Sequence, residues 1–321
     1  MSTTAKLSAY GAVLALVAGG AWAAGSAVGP FAVQAAPSGH DGTSGAEGAG
    51  HGDDHGGTVA ETTRNDQPAG LASSRGGYTL TPTDTTLTTG TDSFSFRVLG
   101  PDGTAVTAYD VEHDKRMHLV AVRRDTSNFR HVHPEMAPDG TWTVPLDVPE
   151  AGSYRVFADF KPTGGEAVTL GVDVGAAGVF EPRAHEPSRV AEVDGYQVRL
   201  DGDLVPGKAS ALRLTVAEDG VPVTDLQPHL AAYGHLVALR EGDLAYLHVH
   251  PEGAPGDGRT PAGPEIAFVA EVPSAGGYRL FLDFRHDGVV RTAEFTVTTA
   301  GAGGTHTDGA PGDAEEEHGH G

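Results

Sequence analysis

Short runs of apolar and β-branched residues, separated by turn residues, recur along most of the chain. Between residues 77 and 160 they read GYTLTPT, DSFSFRVL, HLVAVRR, GTWTVPLDV and YRVFADF, with Gly, Pro, Asp and Asn clusters between them. Segments of this composition, bounded in this way, predict β-strands. Outside the amino-terminal segment, no window has the 3.6-residue apolar period of a helix. We therefore predict an all-β fold, and many short strands of this kind are typical of a β-sandwich.

The chain contains an internal duplication. Residues 117–135 match residues 234–252 at 10 of 19 positions, and VPEAGSYRVFADF at 148–160 matches VPSAGGYRLFLDF at 272–284. The offset grows from 117 to 124 residues, so the second copy has a seven-residue insertion between these segments. A repeat of about 105 residues is too long for a solenoid and predicts two tandem domains.

Each copy has an Ala-Gly-x-Tyr sequence immediately before an apolar strand, at Tyr154 and Tyr278. This arrangement is similar to the tyrosine corner, in which the Tyr hydroxyl bonds to upstream backbone in immunoglobulin-like sandwiches. We therefore expect two immunoglobulin-like β-sandwich domains, with YRVFADF and YRLFLDF as the sixth strand of each.

The amino-terminal segment predicts export. No charged residue lies between Lys6 and Asp41, and residues 10–33 are apolar enough to span a bilayer or to form a signal-peptide core. We favour an anchor over a cleaved signal peptide. In both cases the rest of the chain is expected to be extracytoplasmic, secreted or membrane-anchored, and to contact the membrane through this segment only.

Gly-rich and His-rich segments flank the repeats. The amino-terminal one contains His40, His51 and His55, and the carboxyl-terminal one combines His306, His318 and His320 with five acidic residues. Such composition predicts disordered tails that capture cations weakly. The predicted organisation is 1–36 signal peptide or anchor, 37–77 disordered linker, 78–180 first sandwich, 181–190 linker, 191–299 second sandwich and 300–321 disordered acidic tail.

Charge and composition exclude several classes of function. The chain has 43 acidic and 21 basic residues, a formal net charge of −22, which argues against nucleic-acid binding. It contains no cysteine, so disulfides, zinc-thiolate sites, blue-copper centres and cysteine nucleophiles are excluded. No Ser-His-Asp arrangement, phosphate-binding loop or close acid pair is recognisable, and we expect no enzymatic activity.

The motif HVHP occurs once in each copy, at His131 and His133 and again at His248 and His250. Residues i and i+2 of a strand point to the same side, about 6.6 Å apart, so each pair of imidazoles can converge on one ion. The proline that follows places the pair at the end or edge of a strand. The spacing therefore predicts a metal site in each copy.

A third ligand in each copy is expected from the preceding strand. His118 and His235 begin apolar strands that lead through short connections into the HVHP motifs, and antiparallel pairing brings the start of one strand to the end of the next. Met117 and Met136 flank the first set only, and thioethers favour copper(I). The candidate metal ligands are His118, His131, His133, Met117 and Met136 in the first copy and His235, His248 and His250 in the second.

Other polar residues have predicted roles in the structure or around the metal. Asp159 and Asp283 fall at matching places in the sixth strand and are candidates to support or bind the metal. We favour ion pairs with Arg123 and Arg240, which match in the neighbouring strand, over a role at the metal. Glu135 and Glu252 follow the motifs and could supply an oxygen ligand or orient an imidazole. The histidines without a counterpart in the other copy are expected at the surface: His113, His185, His229 and His286.

The string MHLVAVRRDTSNFRHVHPE, followed by DGTW and AGSYRVFADF, resembles secreted or membrane-anchored bacterial proteins with MHL and HxHP repeats. These are similar to YtkA-like and other immunoglobulin-like extracytoplasmic domains linked to the handling of copper and heavy metals. The resemblance covers both repeats and implies a β-sandwich with a role in metal homeostasis. The second copy departs from the pattern at Gly234, which replaces the Met of MHL.

We expect a noncatalytic extracytoplasmic protein that binds copper, or alternatively zinc, and buffers the metal or passes it to a transfer partner. A second hypothesis is an adhesion or interaction scaffold in which the histidines are incidental. A third, a metalloenzyme, rests on the similarity of HVH to copper-zinc superoxide dismutase. The further histidines, bridging network and disulfide of that family are not found here.

Overall fold

The structure is a computed structural model that describes residues 67–247 and 249–300. This part of the chain consists of strands, turns and irregular segments without a helix. Accordingly, none of its elements is a helix that could cross a bilayer. The predicted anchor, both histidine-rich tails and His248 lie outside the described residues.

The first copy forms ten strands in two sheets, which pair in the orders β1-β2-β4-β8-β7 and β3-β10-β9-β5-β6. The strands are β1 (Ser74–Arg75), β2 (Tyr78–Pro82), β3 (Thr86–Leu87), β4 (Gly90–Leu99), β5 (His118–Arg123), β6 (Arg130–Val132), β7 (Glu135–Met136), β8 (Trp142–Val148), β9 (Gly152–Phe160) and β10 (Val168–Ala176).

The second copy repeats this architecture, with sheets in the orders β11-β12-β13-β18-β17, where β14 also pairs with β13, and β16-β15-β19-β20. The strands are β11 (Val190–Val193), β12 (Tyr196–Asp201), β13 (Ala209–Glu218), β14 (Val221–Pro222), β15 (Gly234–Arg240), β16 (Tyr246–Leu247), β17 (Val249–Pro251), β18 (Glu265–Glu271), β19 (Gly277–His286) and β20 (Val289–Thr298). The all-β prediction of two tandem sandwiches is confirmed.

The tyrosine corners are present in both copies. The Tyr154 hydroxyl donates to the Glu150 carbonyl at 2.7 Å, and the Tyr278 hydroxyl donates to the Ser274 carbonyl at 2.8 Å. Both rings are buried at the start of a long strand, β9 or β19. This hydrogen bond closes the turn before the strand, as expected for an immunoglobulin-like sandwich.

Most strands bury one face only. In β8, sequence WTVPLDV, buried and exposed residues alternate strictly, because one face packs into the core of the first copy and the other meets solvent. Strand β5 does not alternate, and all six of its residues are buried. Leu119 and Ala121 pack into the core of the first copy, whereas Val120 and Val122 pack against the second copy.

The two copies share an apolar interface formed by equivalent strands. The Phe129 and Phe281 rings stack at 4.0 Å between centroids, and the Phe157 and Tyr246 rings meet at 5.3 Å. By the offsets of the duplication, each pair is the counterpart of the other. We call this cluster the interface core; it comprises Val120, Val122, Phe129, Phe157, Val237, Leu239, Leu244, Tyr246 and Phe281, with Ala69 packed beside it.

Part of the expected flexible linker belongs to this assembly. Strand β1 lies within residues 37–77, and the preceding segment joins both copies. The Gly70 amide donates to the Thr169 carbonyl of the first copy, and the Tyr246 amide of the second copy donates to the Ala69 carbonyl. These backbone bonds hold a Gly-containing segment that composition alone assigns to a tether.

The prediction that Arg123 and Arg240 pair with the Asp residues of the sixth strands was wrong. In the antiparallel register of β5 and β9, His118 faces Asp159, and Arg123 faces Tyr154 at the other end. Arg123 instead pairs with Asp125 and Glu150. In the second copy, Arg240 pairs with Asp243, whereas His235 faces Asp283.

The prediction of a surface position was also wrong for one of the four histidines without a counterpart, His286. His286 is buried at the end of β19, where its Nδ1 lies 2.7 Å from the Tyr196 hydroxyl and its Nε2 lies 3.1 Å from Asp225 Oδ1. His113 is exposed, and His185 and His229 are half-buried.

Candidate metal centre

Three histidines of the first copy converge on one face of β5 and β6. In the antiparallel register of β5 and β6, Leu119 pairs with Val132, which brings His118 and His133 next to each other at the ends of the two strands. The ring centroids of His118 and His133 are 5.0 Å apart, and those of His131 and His133 are 4.9 Å apart. The predicted convergence of these three residues is therefore present in the fold.

The separation of two of their nitrogens fits one metal ion. Among the described residues, His118, His131 and His133 each offer a nitrogen, and these atoms lie within 4.8 Å of one another. His118 Nδ1 and His131 Nε2 are 3.2 Å apart. Two imidazole nitrogens bound to one ion at about 2.0–2.1 Å, with an angle of about 90–110° between them, lie about 2.8–3.4 Å apart. The observed separation falls in that range.

The hydrogen-bond partners fix which nitrogens are free. His118 Nε2 lies 3.0 Å from the Glu112 carbonyl oxygen, which only accepts, so Nε2 donates and Nδ1 keeps its lone pair. His131 Nδ1 lies 2.8 Å from Asp283 Oδ2 and donates to that carboxylate, which leaves Nε2 as the second lone pair. The two lone pairs face each other, and this contact requires a proton or a cation between the nitrogens.

The third histidine has an unsatisfied nitrogen. His133 Nε2 is buried and has no hydrogen-bond partner in the described part of the chain. A buried polar atom without a partner costs about 1–3 kcal/mol, and such atoms are rare in folded proteins. A metal ion bound by this nitrogen would remove the deficit.

Burial keeps the His118 and His133 imidazoles neutral. It lowers the pKa of His118 to about 4 and that of His133 to about 2, with a smaller contribution from the charge of His131. Burial also lowers the pKa of His235 well below its usual value. Neutral imidazole is the form that binds metals, so these groups are ready as ligands at neutral pH.

The second copy contributes directly to this cluster. Its Asp283 carboxylate is buried, accepts from His131 through Oδ2 and accepts from the Thr292 hydroxyl through Oδ1 at 2.6 Å. The His235 ring stacks on His118 at 5.5 Å and lies 4.8 Å from His131. The site is thus composed of residues from both copies, whereas the sequence suggested one separate site in each.

Small cavities adjoin the cluster. One of about 20 Å³ is lined by His113, His118, Asp159 and His235, among others. The exposed His113 ring lies edge-on to His118 and to His235, at 6.1 and 5.6 Å. A cavity of this size holds about one water molecule.

Neither candidate methionine lies in the cluster. Met117 is buried in the core of the first copy, because successive residues of an extended segment point to opposite sides and His118 takes the other side. Met136 is half-buried in β7, where it pairs with Trp142 in the opposite sheet and packs against the same core. Their assignment as ligands beside the histidines is therefore corrected.

The described residues of the second HVHP motif have a different environment. His248 lies outside the described residues, and His250 is exposed in β17, paired opposite Val269 of β18. His235 lies in β15, and β17 belongs to the opposite sheet of the same sandwich. Glu135 is exposed, and the Glu252 amide donates to the Ala267 carbonyl. The described residues do not form a second three-histidine set.

Comparison with solved structures finds immunoglobulin-like and related proteins of low similarity. A Salmonella alpha-2-macroglobulin is 16% identical with a TM-score of 0.24, covering 71% of this chain and 15% of that chain. The bacterial integrin-binding protein invasin is 12% identical, with a TM-score of 0.19; the match covers 68% of this chain and 38% of invasin. The D0-D1 domain of intimin is 13% identical, with a TM-score of 0.19; the match covers 68% of this chain and 97% of the intimin chain. The chain thus spans well under two thirds of the first two, and scores this low carry no argument about function.

No curated protein significantly matches the sequence. The profile of a domain of unknown function, DUF8832, matches twice, over residues 72–178 and 191–301. The two matches coincide with the two sandwiches and together cover more than half of the sequence. The chain therefore belongs to the DUF8832 family and carries two copies of its domain.

Proposed function

We propose that this protein is a noncatalytic binding protein for a divalent transition-metal ion, held by His118, His131 and His133. The observation that carries the proposal is the set of three converging nitrogens. Two of them face each other as lone pairs at 3.2 Å, and the third is buried without a partner. A metal ion satisfies all three at once, whereas a proton between His118 and His131 leaves His133 unsatisfied.

The ligand set favours copper(II) or zinc. Imidazole suits both ions, and copper(I) preference would require the thioethers that the structure places in the core. Three protein ligands leave a fourth position for water or for a ligand of another molecule. An open position suits a protein that passes its metal to a transfer partner.

Two sequence features outside the cluster support a role in metal handling. The apolar segment at 10–33 and the histidine-rich tails support an extracytoplasmic location, where the tails would gather cations for the site. The likeness to YtkA-like metal-handling domains remains a prediction.

The test is a titration of the full chain with zinc and with copper(II) against a chelator of known affinity. The chelator masks weak binding by the tails and reports only a tight site. We expect tight binding by the natural chain and its loss when His131 and His133 are both changed to Ala. Equal binding by a folded double variant would overturn the proposal.

The adhesion hypothesis also has an observation in its favour. Val289 and Val290 are the first two residues of β20, an edge strand of its sheet, and they are 48% and 42% exposed. An exposed apolar edge can pair with a strand of another protein. In that case, partner capture would be insensitive to chelators and would be lost when both valines are changed to Lys.

A further inference from the structure

We infer that Asp283 of the second copy is the positioning carboxylate of the metal site, so that metal is bound tightly only when the two copies are docked. The inference rests on the proposed function. It adds that the site is composite, with residues from both copies, and that metal binding and the docking of the two sandwiches are coupled.

The first argument is the orientation of His131. A metal-binding imidazole usually donates its second N–H to a carboxylate, which fixes the tautomer and raises the basicity of the ligating nitrogen. Asp283 Oδ2 accepts that bond at 2.8 Å, and its residue is 152 positions away, in the other sandwich. The side chains of His131 and Asp283 are 1% and 6% exposed, so water does not replace either partner.

The second argument is that Asp283 is itself held in place. Its other oxygen accepts from the Thr292 hydroxyl at 2.6 Å, and Thr292 pairs with it across β19 and β20. The carboxylate is therefore preorganised by the second copy alone and is presented to the first copy by docking.

The third argument is the interface core. Strands β5 and β15 each place apolar residues and a histidine on the same face: Val120 and Val122 follow His118, and Val237 and Leu239 follow His235. The contacts that dock the copies thus continue directly into the metal centre. Binding that requires the docked state must stabilise that state by the same free energy.

The test compares equivalent substitutions in the two copies. Asp283→Asn keeps a hydrogen-bond acceptor but removes the negative charge. Thr292→Val removes the hydroxyl that donates a hydrogen bond to the Asp283 carboxylate. Thr169→Val is the matched control, because Thr169 donates to Asp159 in the first copy as Thr292 does to Asp283. Zinc affinity is measured on the full chain by chelator competition, together with the thermal midpoint of each metal-free variant.

We expect Asp283→Asn to weaken zinc binding by about 10–100-fold, the usual effect of losing such a partner, and Asp283→Glu to recover part of it. Thr292→Val should weaken binding less, and Thr169→Val should leave it unchanged. Unchanged affinity in a folded Asp283→Asn chain would overturn the inference while leaving the site intact. Absence of tight zinc binding in the natural chain would instead overturn the proposed function.

Coupling is tested separately with two Leu→Ala substitutions of fully buried residues, which should destabilise the fold to a similar extent. Leu239 lies in the interface core, whereas Leu214 lies in the core of the second copy, and both are fully buried. We expect Leu239→Ala to lower zinc affinity severalfold and Leu214→Ala to leave it unchanged. Equal affinities in the two folded variants would overturn the coupling.

Discussion

The two HVHP motifs have the same sequence, but the described residues of the second motif have different surroundings from those of the first. In the first copy the chain stays beside β5 through Val132, so His131 and His133 remain on the face that meets the second copy. In the second copy the pairing with β15 ends at Leu247, and Val249 already pairs with β18 of the other sheet. His250 is consequently exposed, whereas the His131 side chain is 1% exposed.

This difference shows that a sequence motif specifies residue types and spacing, but the neighbouring strands decide which groups surround it. The first motif has a buried face, a partner carboxylate and a third imidazole. The second copy supplies that carboxylate, Asp283, and stacks His235 on the cluster. In the proposed site, the first copy provides the three ligands and the second copy provides the carboxylate that holds one of them.

The largest expected effect concerns the motifs themselves. His131→Ala with His133→Ala removes two of three ligands, and we expect zinc affinity to fall by more than the roughly 10–100-fold typical of losing a ligand's hydrogen-bond partner. His250→Ala is the matched control in the other copy and should leave the affinity unchanged. Chelator competition measures both; a loss of tight binding in His250→Ala would show that the motifs are equivalent.

Acid should destabilise the metal-free protein through the first copy. The pKa of His118 is about 4 in the folded state and near 6.5 in an unfolded chain, so the unfolded state binds more protons between these values. The free energy of unfolding therefore falls as the pH drops below about 6.5, by on the order of 2–3 kcal/mol from His118 alone by pH 4.5.

Urea unfolding at pH 7.0, 5.5 and 4.5 measures this loss. The His118→Gln variant, which cannot titrate, should lose less stability on acidification than the natural chain. The same slope in both proteins would show that His118 is not buried in its neutral form.

The tyrosine corners should respond alike in the two copies. Tyr154→Phe and Tyr278→Phe each remove one hydroxyl-to-carbonyl bond, and we expect each to cost about 1 kcal/mol of unfolding free energy. Urea unfolding measures the cost. A much larger loss in one copy would show that the two corners are not equivalent.

The smallest expected effect is that of the methionines. Because Met117 and Met136 contact the core of the first copy, Met117→Leu and Met136→Leu should leave the affinities for copper(I) and copper(II) unchanged. Competition with a chelator specific for copper(I) measures this. A selective loss of copper(I) binding would show that the methionine thioethers are ligands of the metal.

Much of the fold could be predicted from local patterns. Strands such as β8 alternate, the turns are rich in Gly and Asp, and the Ala-Gly-x-Tyr sequences identify the corners. The meeting of His118, His131 and His133 also follows from local rules, since one hairpin-like connection sets their register. These features need only neighbouring strands.

The composite nature of the site could not be derived from those rules. The contact between His131 and Asp283 depends on how two complete sandwiches dock, which no local pattern encodes. One signal was present: HLVAVR and HLVALR lack the alternation of a half-exposed strand, and a strand without alternation is buried on both faces. That signal indicates a covered face but does not identify what covers it.

The most direct test is anomalous diffraction at the zinc edge from crystals of the zinc-loaded protein. We predict one strong peak per chain, about 2.0–2.1 Å from His118 Nδ1 and His131 Nε2 and bound also by His133, with Asp283 still bonded to His131. Peaks at each HVHP motif, each with its own copy's ligands, would contradict the composite site, and the absence of a peak at His131 would contradict the account as a whole.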